Sequence, residues 1–266
     1  MFLGTTMDGL YRLKCPVSLD TDYADRVQFH QSADGSQAAT VFGGLTGART
    51  WNVGYSALTP RDSMFLSSFT DSRAWYGRGP VCFIPTSGER TNMLTREEST
   101  LARATSFVAS PVMTTDGPVM GYVNSTVDVN VAEKLPLPAV GERRFRLSFY
   151  ASGPTYSRVD YWRGESIIQT LYFTHPTMSG YSRTDIVYPE VSGSKFVGVY
   201  ICGNFTAPAV TLGTELYAYG PGTRVDSVLV TASGDSMQYA GSTAPNQQSY
   251  SKRAFKITEL RQGDFL

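Results

Sequence analysis

The stretch that decides the fold reading is RTWNVGYSALTPRDSMFLSSFT, residues 49–70, continued by Gly77-Arg78-Gly79-Pro80-Val81-Cys82-Phe83-Ile84-Pro85 and closed by Asn92-Met93-Leu94-Thr95. Trp51, Val53 and Tyr55 alternate with Thr50, Asn52 and Gly54, the period of a strand with one face in a core. Thr59-Pro60-Arg61-Asp62 follows directly. It supplies an N-cap hydroxyl, a proline for the first helical position and an acid for the first turn. Met64, Phe65, Leu66 and Phe69 are expected on the buried side of about three turns of helix, with Ser63, Ser67 and Asp71 facing solvent. Such a helix covers one open face of a sheet. The Gly77 to Pro80 turn ends the pattern, and Val81 to Ile84 reads as a short apolar strand, central and buried.

Working outward, Leu10 to Leu13 and Val27 to Phe29 are strand candidates separated by a polar stretch with Asp20, Asp22 and Asp25. Asp34-Gly35 and Gly43-Gly44 are hairpin signals. Beyond Thr95 the pattern weakens through Ser110-Pro111. From there to Gly222 eight strands are expected: Val119 to Asn124, Val127 to Val131, Phe145 to Ala151, Arg158 to Trp162, Ile167 to Phe173, Thr184 to Val187, Phe196 to Ile201 and Thr214 to Ala218. That number and spacing suit a jelly-roll sandwich. After the Gly220-Pro221-Gly222 punctuation, Ser227 to Val230 and Phe255 to Leu260 remain. Two strands cannot form a domain alone, so they are expected to return and complete the N-terminal sheet. The predicted fold class is therefore all-β. One β-sandwich with a single short helix spans residues 1–110 with 223–266, and a jelly-roll sandwich spanning 111–222 is inserted into it.

The charge balance excludes broad function classes. Lysine plus arginine and aspartate plus glutamate stand at 23 each, so no net field gathers nucleic acid or an anionic membrane. Neither sequence-specific nucleic-acid binding nor membrane insertion is expected, and no run approaches about 18 consecutive apolar residues. Arginine outnumbers lysine, which suits planar multi-donor contacts at protein interfaces. Cys15, Cys82 and Cys202 are odd in number and far apart, and read as buried free thiols. Met1 to Lys14 lacks the order of a signal peptide, so the chain is expected to be made in a cytosol-like compartment before assembly.

No motif for a catalyst, cofactor or metal emerges. There is no G-x-S-x-G elbow, Walker loop, H-E-x-x-H helix or C-x-x-C pair. His30 and His175 lack ligand-spaced neighbours, and both read as structural. Asp20, Asp22 and Asp25 lack the later glycine and glutamate of a calcium loop. Glu142, Glu165, Glu190 and Glu215 are scattered acids of the kind that a glycosidase pair would need, and read as solvent-facing residues. The 111–222 block is rich in rings: Tyr156, Tyr161, Trp162, Tyr172 and Tyr181. Tyr156, Tyr161, Trp162 and Tyr181 are the candidate glycan contacts, weighed against core or subunit packing.

The order of parts between Arg49 and Thr95 resembles the N-terminal region of minor tail proteins, or distal tail proteins, of siphophages infecting actinobacteria. The matching parts are Arg49-Thr50-Trp51, Thr59-Pro60, Gly77-Arg78-Gly79-Pro80, Val81 to Pro85 and Asn92 to Thr95. Phe2 to Thr6 and Phe255 to Leu260 are similar to the ends of such proteins. Pro85-Thr86 stands where the family has an Asp-Pro pair. The resemblance implies a non-enzymatic, cofactor-free structural protein of the virion, located at the phage tail tip and assembled in the host cytoplasm. It implies a homo-oligomeric ring, with a hexamer favoured over a trimer, that joins the tail tube to other tail-tip proteins. Under the same resemblance the inserted sandwich is carbohydrate-binding-module-like and faces outward, and a host cell-wall glycan is the alternative partner. Arg49, Trp51, Thr59, Pro60, Gly77, Gly79, Pro80 and Asn92 are the structural determinants it marks. Trp51 is expected to pack beneath the Pro60 helix.

Overall fold

The structure, a computed structural model, describes residues 1–5, 9–13, 16–23, 27–31, 37–41, 49–70, 81–85, 91–216, 219–220, 222–226, 228–232 and 251–260. It is predominantly β, as expected. Fourteen strands and two helices lie among the described residues: β1 (Phe2–Thr5), β2 (Gly9–Arg12), β3 (Ser18–Tyr23), β4 (Val27–Gln31), β5 (Gln37–Val41), β6 (Arg49–Leu58), α1 (Pro60–Thr70), β7 (Val81–Ile84), α2 (Arg96–Ser99), β8 (Phe107–Thr114), β9 (Gly117–Pro136), β10 (Phe145–Arg163), β11 (Ser166–Tyr188), β12 (Phe196–Leu212), β13 (Val228–Ala232) and β14 (Ser251–Glu259).

Two compact units share the chain. The first holds Met1–Leu13 and Arg78–Asp226, the second Lys14–Gly77 and Ser227–Leu266. This grouping differs from the expected division into 1–110 with 223–266 and 111–222. The reason is long-range pairing. β1 lies between β2 and β7, Leu10 exchanges backbone bonds with Leu137 and Ala139, and Met93 N donates to Val210 O at 2.7 Å. Phe2, Leu10, Cys82, Ile84, Met93 and Leu94 consequently share one apolar core with the barrel strands.

In the first unit β10, β11, β8, β9 and β12 close into a barrel. Seven of the eight expected strands fall on four, β9 to β12, because neighbouring candidates are halves of long bent strands, and β8 is not among the expected ones. Val119 to Asn124 and Val127 to Val131 both belong to β9, Phe145 to Ala151 and Arg158 to Trp162 to β10, and Ile167 to Phe173 and Thr184 to Val187 to β11. The bends are bulges, such as the register shifts between Ala151 and Thr155 on β10. An extra unpaired residue there bends the strand without ending it. Pro111 lies inside β8 beside another shift, and Thr214 to Leu216 are not a strand. Four of the five joints are antiparallel ladders; β11 and β8 meet in parallel at the single pair Tyr181 and Thr114.

The N-terminal segment is tied in by backbone contact. A Cβ on Gly4 would lie 2.1 Å from Gly9 O, so β1 and β2 approach at a distance that only glycine allows. β7 is buried as expected. β1 flanks it on one side and Val225 on the other, where Phe83 and Val225 exchange two backbone bonds of 2.9 Å.

In the second unit the sheet order is β13-β14-β6-β3, and β4 and β5 form a separate antiparallel pair. The late strands do return to the strand that begins at Arg49. β14 pairs with β6 and β13 with β14. Asp20 and Asp22 sit on β3, paired with β6, and not in a turn; Asp25 lies outside the described residues. Trp51, Val53, Tyr55, Phe255 and Ile257 share the buried face, and α1 lies against β6, β13 and β14. Its helical face differs from the expected one: Ser63, Leu66 and Phe69 are buried, whereas Met64 is 75% exposed. At about 100° per residue, 63, 66 and 69 form one stripe and 64 points away from it. Asp71 lies outside the described residues.

Candidate functional site

The marked determinants are built first. Thr59 Oγ1 accepts from Asp62 N at 3.2 Å and donates to Asp62 Oδ2 at 2.8 Å, a side-chain cap for α1. Pro60 opens the helix. Arg49 Nε donates to Glu259 Oε2 at 3.0 Å across the β6–β14 pair, and its guanidinium lies 5.3 Å from the Trp51 ring centroid. Arg49 thus closes the end of the buried face on which Trp51 lies. Gly77, Gly79 and Pro80 lie outside the described residues.

Asn92 is buried and saturated. Its Nδ2 donates to Pro208 O (3.2 Å) and Gly220 O (3.1 Å), and its Oδ1 accepts from Leu94 N (3.2 Å) and Val210 N (3.0 Å). One amide thereby ties the chain before α2 to β12 and to the segment after it. A determinant absent from the expectations stands beside it. Thr95 and Glu98 form a capping box on α2, and buried Arg224 donates to Glu98 Oε1 at 2.9 Å and to Asp226. The T-x-x-E spacing of Thr95 to Glu98 is a readable sequence signal for that cap.

The glycan-contact candidates separate by strand parity. Tyr161 points into the barrel, fully buried, its OH donating to Pro189 O at 2.7 Å, so it is not a surface contact. Tyr181 stands at the β11–β8 joint, its OH donating to Asn204 and its ring edge-on to Tyr122. Trp162 stacks on Phe196, centroids 5.9 Å apart. Tyr156 is half-buried on the outer face, and its hydrogen bond with Asp128 pushes its pKa up.

That outer face carries a site of a different composition. Register places Tyr172, Arg158, Tyr200 and Asn130 side by side across β11, β10, β12 and β9. The adjacent row is Thr170, Asp160 and Gly198, and the row on the other side is Thr174, Tyr156 and Cys202. Arg158 lies 4.0 Å from the Tyr200 ring centroid, pairs with Asp128 and reaches Asp160 Oδ2 at 3.2 Å. Thr170 Oγ1 donates to Asp160 Oδ1 at 2.8 Å. Gly198 leaves a gap over which Tyr200 leans: a Cβ there would lie 3.0 Å from Tyr200 Cε2. Tyr172 stands 68% exposed beside this cluster. Asp128 Oδ1 and Arg158 Nε have no hydrogen-bond partner among the described residues. Chemically the face offers one free ring and a charged group held in place, the parts used to stack and orient a polar ring-shaped ligand.

His175 belongs to the interior. Its Nε2 meets Ser157 Oγ at 2.8 Å and its Nδ1 meets Thr184 Oγ1 at 3.0 Å, between the rings of Phe149 and Phe173. Ser157 Oγ also meets Tyr188 OH at 2.7 Å. Burial lowers the His175 pKa to about 4, so the imidazole is neutral at pH 7. His30 lies on β4. Glu142 is held by Arg144 and Glu190 by Arg143, while Glu165 and Glu215 are exposed. The hydrogen bond from Arg144 lowers the Glu142 pKa to about 2. Among the described residues no three ligating side chains gather at a metal-binding position, Cys82 and Cys202 are buried and form no disulfide, and no helix is long and apolar enough to cross a membrane. Compared with known proteins, the chain matches no family model and no curated protein.

Proposed function

We propose that this chain is a non-catalytic structural protein of a bacteriophage tail tip, in which the second unit assembles into a ring and the barrel is a displayed domain of jelly-roll type. The observation that carries the reading is the interrupted sheet: β6 and α1 on one side of the sequence and β13 and β14 on the other complete a single layer, with Arg78–Asp226 folded separately between them. That is the organisation of a scaffold carrying an insert. It joins the resemblance of the Arg49 to Thr95 segment to distal tail proteins. Among the described residues β3 and β13 are the sheet edges, and unpaired edges together with arginines are what heterologous ring contacts use. Negative-stain images and light scattering of the purified chain test it. Closed rings are expected, sixfold before threefold, and monomers at all concentrations would overturn the assembly reading.

A second reading, a receptor-binding module gripping a host-surface glycan, is favoured by the Tyr172, Arg158, Tyr200 and Asn130 row. A glycan array with the whole chain and its Tyr172→Ala variant checks it. Binding that falls at least tenfold in the variant supports the reading, and unchanged binding removes it.

A further inference from the structure

On another part of the barrel unit, the β8–β9 turn, the residues after α2 and the β12 bulge enclose an open cleft of about 540 Å³. One carboxylate faces it. Tyr150, itself buried, donates its OH to Asp116 Oδ2 at 2.6 Å and so fixes the carboxylate's orientation. Among the described residues no lysine or arginine lines the cleft.

The hydroxyls of the wall are all committed as donors. Ser99 and Thr100 donate to Arg96 O, Thr114 to Gly117 O, Thr206 to Gly121 O, Tyr219 to Ser99 O, and Tyr150 to Asp116. Ser99 Oγ also accepts from Gly222 N at 2.8 Å and Thr114 Oγ1 from Asp116 N at 3.2 Å, so what the hydroxyls have left to offer is their remaining lone pairs. The cleft is therefore rich in acceptors and carries one negative charge, with Met120 and the Tyr219 ring as apolar walls. Ala207, on the same wall, holds φ +48°. A non-glycine residue in that left-handed region is strained, and such strain concentrates at binding sites.

We infer that this cleft binds a primary ammonium group carried on a small ligand, the ammonium donating to Asp116 and the surrounding lone pairs. An ammonium has three donors and no acceptor, which complements a wall of this kind. A neutral polyol can donate its hydroxyl protons to the same lone pairs but brings no positive charge to Asp116. Two carriers share this chemistry, an amino sugar and an aliphatic amine. The inference stands apart from the tail reading, because neither ring formation nor the Tyr172 face enters it.

The experiment is a titration of the whole chain, followed by amide chemical shifts or calorimetry, with glucosamine, 1,5-diaminopentane, glucose and N-acetylglucosamine. At least one of the two amines is expected to bind tenfold or more tightly than either neutral sugar, and the tighter amine identifies the carrier. Asp116→Asn is expected to weaken that binding at least tenfold. Tyr150→Phe should weaken it a few-fold, since Tyr150 only positions the carboxylate. Met120→Lys, a change at a side chain 67% exposed, keeps the test independent of folding and is expected to repel the amine. Equal binding of amines and neutral sugars, no binding by any probe, or unchanged binding by Met120→Lys would each overturn the inference.

Discussion

The two units solve burial in opposite ways. In the barrel unit, many polar side chains are taken inside: Asn92, Ser157, His175, Thr184 and Arg224 are buried and bonded, while the buried Thr155 Oγ1 has no hydrogen-bond partner among the described residues. In the second unit the described buried apolar set is Trp51, Val53, Tyr55, Leu58, Leu66, Phe69, Val228, Val230, Phe255 and Ile257, and Ser63 is the one buried polar or charged residue described there. Buried polar groups bonded across strands favour one arrangement of long strands, because a slip there leaves those groups unpaired. An apolar layer under a short helix tolerates small shifts and depends on volume. The barrel thus has the properties of a rigid element, and the sheet unit those of a more tolerant one.

This contrast can be broken by substitution. Trp51→Ala has the largest expected effect, about 3 to 5 kcal/mol, from lost transfer energy and the cavity left behind. Segment-resolved hydrogen exchange should show the loss in β6 and β14 alone, and equal deprotection of β10 and β12 would refute the contrast. Asn92→Ala should cost about 3 kcal/mol, because Leu94 N and Val210 N lose their acceptor inside the core. Its deprotection should appear in β12, not in β6.

Acid sharpens the comparison further. His175 takes up a proton near 6.5 when unfolded but only near 4 when folded. Between those values the unfolded chain binds more protons, so stability falls as pH drops from about 6.5 to about 4 and levels off below. The expected loss is about 3 kcal/mol at full extent, at about 1.4 kcal/mol for each unit of separation. Denaturant titrations across that range should show it in the barrel transition, and His175→Asn should flatten the slope. Arg49→Ala has the smallest effect, about 1 kcal/mol in the sheet unit, because both Arg49 and Glu259 are partly solvated. A double-mutant cycle with Glu259→Gln measures it.

Local signals in the sequence were read correctly where the chemistry is local. Thr59 and Asp62 do cap α1, and the alternation at Trp51, Val53 and Tyr55 is the buried face of β6. The buried face of α1 was misread because an apolar cluster at Met64 to Leu66 outweighed the 63, 66, 69 stripe. Strand number in the barrel was misread for a related reason: Gly153-Pro154 looks like a turn, and only the partner strands show that the chain bends there and continues. The ring candidates depended on parity. Tyr156 and Tyr161 differ by an odd number of positions, so one faces out and the other in, and register alone decides which. The pairing of Leu10 with Leu137 has no local signature, and with it the division of the chain into units was out of reach.

The joint between β11 and β8 has a consequence for how the barrel fails. Four of its five joints are ladders of many bonds, and the fifth is one pair, Tyr181 with Thr114, with Thr115 N donating to Tyr181 O at 3.1 Å. A hoop with one thin stave joint opens there first, and it opens as a sheet that stays otherwise intact. The closed state is then a latch on a curved sheet, and the amide of Thr115 is the sentinel that reports each release.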